Sequence, residues 1–502
     1  MTPVRALMVA AALLLPWDAS AELLRVGRVS NAASLGNPFT AVGQPSVGVW
    51  SAMYDALTVI GEDGKVEPAL ARTWAVMEPT RWRFELRSGV TYHDGMPFTA
   101  QSVVGVVDFL RSAAGRRYYV GSELAGIVSV TAQGPLTVDI VTAKPDPLMP
   151  KRMALVFMVE PNRWAKLGDD DYARTPVGTG AFKWVSWGDG NSRPSFAAYD
   201  KAWRKSASVT RLEMAVIADA SVRLQALMAG QIDAMEGVSP DDVPNIDPAR
   251  FTVMTKVLPA VVTISLRNVG NPASPIQNKA VRQALSLAVD RAGLAAAILG
   301  DRARAANQGA SAQAFGFNPD LPPLPFDPAK AKAMLAEAGY PNGFPLQIEV
   351  MTGFGGNDRL IYEQVAQNLR SVGVKVDLRG IPYSAWLPKF SSGEWGNVDA
   401  FSFMWDSTQY YDAIRPIRNS SCAKSNPFYC DPAIMPLIEA SDTEMDETKR
   451  QAMLRDILAR MREDASALWI VSSSATVAMR KGVSNLRLRS VGMMYDQVIV
   501  DP

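Results

Sequence analysis

The chain has 502 residues, 48% of them hydrophobic, with 51 Lys and Arg balanced by 50 Asp and Glu. That length supports more than one core, and a net charge of +1 gives no electrostatic case for nucleic acid or an anionic membrane surface. One histidine and two cysteines argue against a metal ion held by protein side chains, and no phosphate-cradling glycine motif occurs.

The first elements read from the N-terminus are a leader and a strand. Arg5 supplies a positive start, residues 6–15 form an apolar run too short to span a bilayer, and Ala19-Ser20-Ala21 fits a small-x-small cleavage site. The pattern predicts a mature chain from Glu22; a buried N-terminal helix is the alternative. No cysteine follows the apolar run for a lipid anchor, and no later stretch looks like a membrane span, so a free periplasmic protein is expected. Residues 24–29 read as a strand, 31–48 as a loop rich in Gly, Pro, Ser and Asn, and 49–57 as a helical patch.

In residues 82–103, Trp82, Phe84 and Leu86 alternate with charged residues, which predicts a strand with one buried face. Ser88-Gly89 and Asp94-Gly95 are turns around Val90 and Tyr92. Thr99 stands as an N-cap before Val103, Val104, Val106, Val107 and Leu110. Residues 136–141 read as a strand, followed by a proline-broken turn at 144–150. Asp219 caps a predicted helix with Val222, Leu224 and Leu227 on its apolar face, ended by Gly230. Residues 280–300 follow the helical period, ending at Gly300. Asp327 and Pro328 start another helix, Gly339 ends it, and 346–351 is the strand beyond. Helix and strand signals alternate throughout, which favours an α/β fold.

Cys422 and Cys430 are even in number, closely spaced and destined for an oxidising compartment, which predicts a disulfide; two free buried thiols are the alternative. Enzyme signatures are absent: there is no G-x-S-x-G or H-E-x-x-H, and a Ser-His-Asp triad would need His93, the only histidine. His93 reads as scaffold, and Gly178-Thr179-Gly180 as a tight strand entry. The acidic runs Asp169-Asp170-Asp171 and Asp241-Asp242 read as solvated loops.

The string W-x-F-x-L-R-x-G-V-x-x-H-D-G-x-P-F-T-A-x-x-V at 82–103 resembles a signature of the peptide/nickel/opine family of extracytoplasmic solute-binding proteins, cluster C of the periplasmic receptors. PVGTGAFKWVSW at 176–187, DASVRLQALMAGQID at 219–233, VRQALSLAVDR from Val281 and DPAKAKAMLAEAGYPNGF at 327–344 resemble further family units, in the family's order. The resemblance implies a bilobed α/β periplasmic binding protein (type II) with an extra α/β subdomain inserted in lobe I. Lobe I would comprise 22–65, 180–266 and 481–502, the inserted subdomain 66–179 and lobe II 267–480, with the hinge near 265–268 and 479–484. The implied function is capture of a small solute between the lobes and delivery to the membrane permease subunits of an ABC importer, by a monomer with no cofactor, metal or nucleic acid. A secreted hydrolase on the same scaffold and a sensory co-receptor are the alternatives.

The resemblance directs the ligand search to residues 401–418. Trp405 is the candidate for stacking, Asp406 or Asp412 for a cationic group, Tyr410 and Tyr411 for hydrogen bonds, and Arg415 for an anion. Arg117, Tyr118 and Tyr119 form a second candidate surface, and Asn37 and Phe39 a third. Peptide receptors of the family carry W-x-x-D followed by D-P. Here Asp406 directly follows Trp405 and no Asp-Pro comes after, so the ligand stays open among a peptide, an opine, a modified sugar, an organic acid and a chelate.

Overall fold

The computed structural model describes residues 22–299, 304–352, 358–489 and 492–501. The leader expected at 1–21 and Gly300 at the end of the predicted helix lie outside the described residues. One mixed sheet of ten strands runs through both halves of the molecule. Its order is Lys375–Pro382, Pro345–Thr352, Ala400–Asp406, Phe251–Leu266, Ala467–Arg480, Ala234–Glu236, Leu23–Arg28, Arg211–Val216, Ser195–Ala198 and Phe182–Ser186.

The two long central strands join the halves. Phe251–Leu266 and Ala467–Arg480 are antiparallel from Phe251 opposite Arg480 to Ser265 opposite Ala467. At one end Ala234–Glu236 pairs with residues 477–479, and at the other Ala400–Asp406 pairs with residues 260–266. The ladder is irregular between Val257 and Val261, where Pro259 has no N–H to give. The freed carbonyls of Leu258 and Pro259 accept from Ser311 Oγ and the Ser407 N–H, at 3.1 and 2.9 Å. The outer neighbours of the two strands therefore differ on either side of this irregularity.

The second half alternates as a strand must. Leu468 and Ile470 pack into one buried cluster with Leu285, Leu335 and Leu369, while Ala467 and Trp469 pack into another with Phe403, Leu454 and Leu458. In the first half, a separate sheet of Ala71–Glu78, Arg81–Leu86, Thr137–Thr142 and Ile127–Ala132 shares its core with the main sheet. Trp82, Phe84 and Leu86 are 8, 0 and 1% exposed, as their alternation demands. They share a buried cluster with Val103, Val106, Val107 and Leu110 of the helix Ala100–Arg111, where the Thr99 N–H donates to Ser102 Oγ at 3.2 Å in a capping box.

Asp219 and Asp327 cap their helices as expected, accepting from the N–H groups of Val222 at 2.9 Å and Lys330 at 2.8 Å. Two local expectations change. Val222 is 53% exposed and Arg223 is buried instead, its guanidinium donating to the carbonyls of Ala218, Glu236 and Gly237. A sequence wheel scores Val over Arg, yet the end of the strand Ala234–Glu236 leaves carbonyls that a guanidinium satisfies. The helix predicted over 280–300 breaks after Lys279–Leu287, and Asp290 caps a new turn, Arg291–Leu294, accepting from the Gly293 N–H at 2.9 Å. Buried Arg291 draws the chain inward, donating to the carbonyls of Trp469 and Ser286 at 2.5 and 2.9 Å. Cys422 and Cys430 form a disulfide. Among the described residues no helix is long and apolar enough to cross a membrane.

Candidate functional site

The conspicuous motifs serve the scaffold. His93 Nε2 donates to the Gly180 carbonyl at 3.0 Å, its Nδ1 accepts from the Gly178 N–H at 3.3 Å, and its ring meets the Tyr199 ring edge-on at 5.1 Å. Burial lowers its pKa to about 4, the Gly180 hydrogen bond opposing, so the imidazole is neutral at pH 7 and both nitrogens are used. Gly178 and Gly180 lie against the backbone of Ala52 and Met53, where an added Cβ would come within 2.1 Å of the Met53 carbonyl oxygen at the first and 2.5 Å of its carbon at the second. Close backbone approach, and not anion binding, explains the G-T-G string.

The strand Ala400–Asp406 carries Trp405 and Asp406 at its end, and the chain just beyond it carries Tyr410, Tyr411, Asp412 and Arg415. Trp405 is 1% exposed, with its ring edge-on to Trp469 at 6.0 Å and roofed by Gly309, whose added Cβ would lie 2.2 Å from it. Asp406 turns the chain, accepting from the Thr408 N–H at 2.9 Å and Gln409 Nε2 at 3.0 Å. Tyr411 has a positive φ of 49° and packs on Gly64 of the opposite half. Asp412 is fully buried in a two-pronged pair with Arg450, at 2.6 and 3.0 Å, with Lys151 Nζ 3.9 Å away. Burial lowers the Lys151 pKa even beside this carboxylate.

The remaining members form a clasp between the inserted layer and the second half. The Tyr410 hydroxyl donates to Glu123 Oε2 at 2.6 Å and accepts from Arg152 Nη1 at 3.2 Å; Arg152 also donates to Asp146 at 2.7 Å. Burial above all pushes the Tyr410 hydroxyl well above its ordinary range. Arg415 donates to the Tyr119 hydroxyl. Burial disfavours its charge, but Tyr119, Asp406 and Glu123 outweigh that and raise its pKa. The third group, with Tyr118 and Arg117 of the second, stays apart. Phe39 is fully buried with its ring 4.9 Å from Trp164, Asn37 Oδ1 accepts from the Phe39 N–H at 3.1 Å, and the Tyr118 hydroxyl donates to Asp169. Arg117 is exposed, with Nε 3.5 Å from the Ala114 carbonyl.

Sequence reasoning missed the cavity where the parts of the molecule meet. About 320 Å³ in volume, it is walled by Tyr54 and Trp203 of the first half, Phe157 of the inserted layer, Thr408 and Gln409 of the second half, and Arg489 near the C-terminus. Its polar wall is rigid: Asp55 accepts from Thr179 Oγ1 at 2.9 Å, Trp203 Nε1 at 2.8 Å and Arg204 Nε at 2.5 Å. Gln409 Oε1 and Arg489 Nε are buried with no hydrogen-bond partner among the described residues. An unsatisfied buried acceptor and donor each cost on the order of 1–3 kcal/mol until a partner pairs with them. Nothing in the motifs marks these residues, because they come from segments far apart in the chain.

Residues 65–425 match the family model for bacterial extracellular solute-binding proteins, family 5 Middle. The nickel-binding periplasmic protein of Escherichia coli (strain K12) is 27% identical over 467 residues, covering 87% of this chain and 86% of that protein. The dipeptide-binding protein of the same strain is 24% identical over 466 residues, covering 85% of each. The crystal structure of the ABC transporter substrate binding protein CtaP from Listeria monocytogenes shares the fold at a TM-score of 0.84 and 19% identity, covering 96% of this chain and 99% of that one. With the matched segment spanning well over half of its length, this chain belongs to family 5 of the bacterial extracellular solute-binding proteins, the bilobed receptors of ABC importers.

Proposed function

We propose that this receptor holds its solute in the cavity of about 320 Å³ between the halves, and that Gln409 and Arg489 read its polar groups. The observation that carries the reading is that two residues lining one aromatic-walled space each keep an unpartnered buried atom, an acceptor on Gln409 and a donor on Arg489. The volume lies at the small end of the range for ligand pockets, which favours a compact solute carrying a donor and an acceptor. Tyr54, Phe157 and Trp203 supply contact area and Asp406 orients Gln409. Tyr410, Tyr119 and Arg415 make bonds that hold the halves together. Asp412 is committed to Arg450, which argues against its use for a free α-amine and favours an opine-like, sugar-like or chelated solute over a simple peptide.

In this proposal the protein works as a periplasmic monomer after removal of residues 1–21, closes about the irregularity at 257–261, hands its solute to the permease subunits and returns it chemically unchanged. Closure is driven only by the solute's preference for the closed form. Native mass spectrometry of the protein as purified, followed by thermal-shift screening of the identified class, tests the reading. A solute at one hundred times its Kd stabilises the fold by about 2.7 kcal/mol. Gln409→Ala is expected to weaken binding at least tenfold without unfolding the chain; undiminished affinity removes the cavity from the proposal, and a chemically altered solute removes the receptor role.

A further inference from the structure

A second cavity, about 490 Å³, lies at the seam between the inserted layer and the helix Ile414–Asn419 of the second half. Its walls carry four cationic side chains, Lys144, Arg152, Arg415 and Arg418, against three carboxylates, Glu123, Asp146 and Asp442, an excess of one positive charge. Two of the arginines are matched: Arg152 bonds Asp146 at 2.7 Å and reaches Glu123 at 3.5 Å, and Arg418 pairs with Asp442. Lys144 stands exposed at the rim. Arg415 is different. Among the described residues it has no carboxylate at ion-pair distance, and its guanidinium donates to the Tyr119 hydroxyl and lies 5.9 Å from the centre of the Tyr119 ring. A half-buried guanidinium with no carboxylate at ion-pair distance, Asp406 and Glu123 acting on it only from further off, retains donors for a planar two-oxygen acceptor.

We infer that this seam is a second binding site, for a small monocarboxylate, completed only when the two halves come together. Arg415 supplies the charge and Tyr119, from the opposite half, orders the guanidinium. One surplus positive charge suits a monoanion, and the three wall carboxylates repel a phosphate dianion. Because the two walls belong to different halves, a carboxylate bound here stabilises the closed form alone and raises the receptor's affinity for its main solute by linkage. The inference rests on the receptor reading only for this closure.

The test uses the full mature protein with sodium acetate, butyrate and benzoate as probes, against sodium chloride at matched ionic strength. Calorimetry follows binding and small-angle scattering the radius of gyration. A saturable heat with carboxylate and not chloride is expected, together with a smaller radius of gyration. Arg415→Gln should weaken it at least tenfold, Arg415→Lys should keep part of it, and Gln409→Ala should leave it intact. No saturable binding by any probe, or equal binding by Arg415→Gln, overturns the inference. Loss of the carboxylate response in Gln409→Ala also overturns it, since there is then one site. Carboxylate binding through Arg415 in a protein that binds no solute at Gln409 sinks the receptor cavity and leaves the seam site standing.

Discussion

The single histidine makes a sharp experiment. In the folded chain His93 is neutral down to about pH 4, with burial as the main cause, while in the unfolded chain an imidazole protonates near pH 6.5. Between those values the unfolded state binds the proton and the folded state does not, so stability falls as pH falls. Each tenfold difference in proton affinity is worth about 1.36 kcal/mol, so the loss attributable to His93 is about 2 kcal/mol at pH 5 and about 3 kcal/mol at pH 4. His93 is only partly buried as a residue, so these are upper figures. Urea denaturation from pH 4 to 8 on the protein and on His93→Gln measures the difference, because glutamine keeps a donor towards Gly180 and does not titrate. The variant should lack the extra slope below pH 6.5. A proton–carbon NMR spectrum of the folded protein contains one imidazole, whose midpoint should lie near 4. A midpoint near 6.5, or identical pH slopes for both proteins, refutes the reasoning.

Other outcomes follow from the packing. Arg450→Met strands the fully buried Asp412 and should cost about 3 kcal/mol of unfolding free energy; the double variant with Asp412→Asn should recover much of it, and additive losses would disprove their coupling. Gly309→Ala pushes a methyl into the Trp405 ring and should destabilise the second half by about 1–3 kcal/mol, seen as a lower melting temperature and altered tryptophan fluorescence. Reduction of the Cys422–Cys430 bond opens a short loop and should cost about 2–3 kcal/mol in chain entropy, measured by calorimetry with and without reductant; an unchanged midpoint would place that stabilisation elsewhere.

The sequence by itself determined the local structure and the family. Alternation at Trp82, Phe84 and Leu86, the caps at Thr99, Asp219 and Asp327, and the five ordered strings are all short-range features, set by residues within a turn or a strand of each other. It also isolated residues 401–418 as the stretch that departs from the peptide-receptor pattern. Only the tertiary structure decided what those residues do. Asp412 looked free for a ligand until Arg450, far along the chain, took both its oxygens, and Trp405 looked like a stacking platform until Gly309 closed over it. Gln409, Glu123, Arg152 and Arg489 carried no signal, because a buried donor or acceptor acquires meaning only from what lies opposite it across the closed halves. The change of strand neighbours near Pro259 was hidden for the same reason, since it depends on which strands lie alongside.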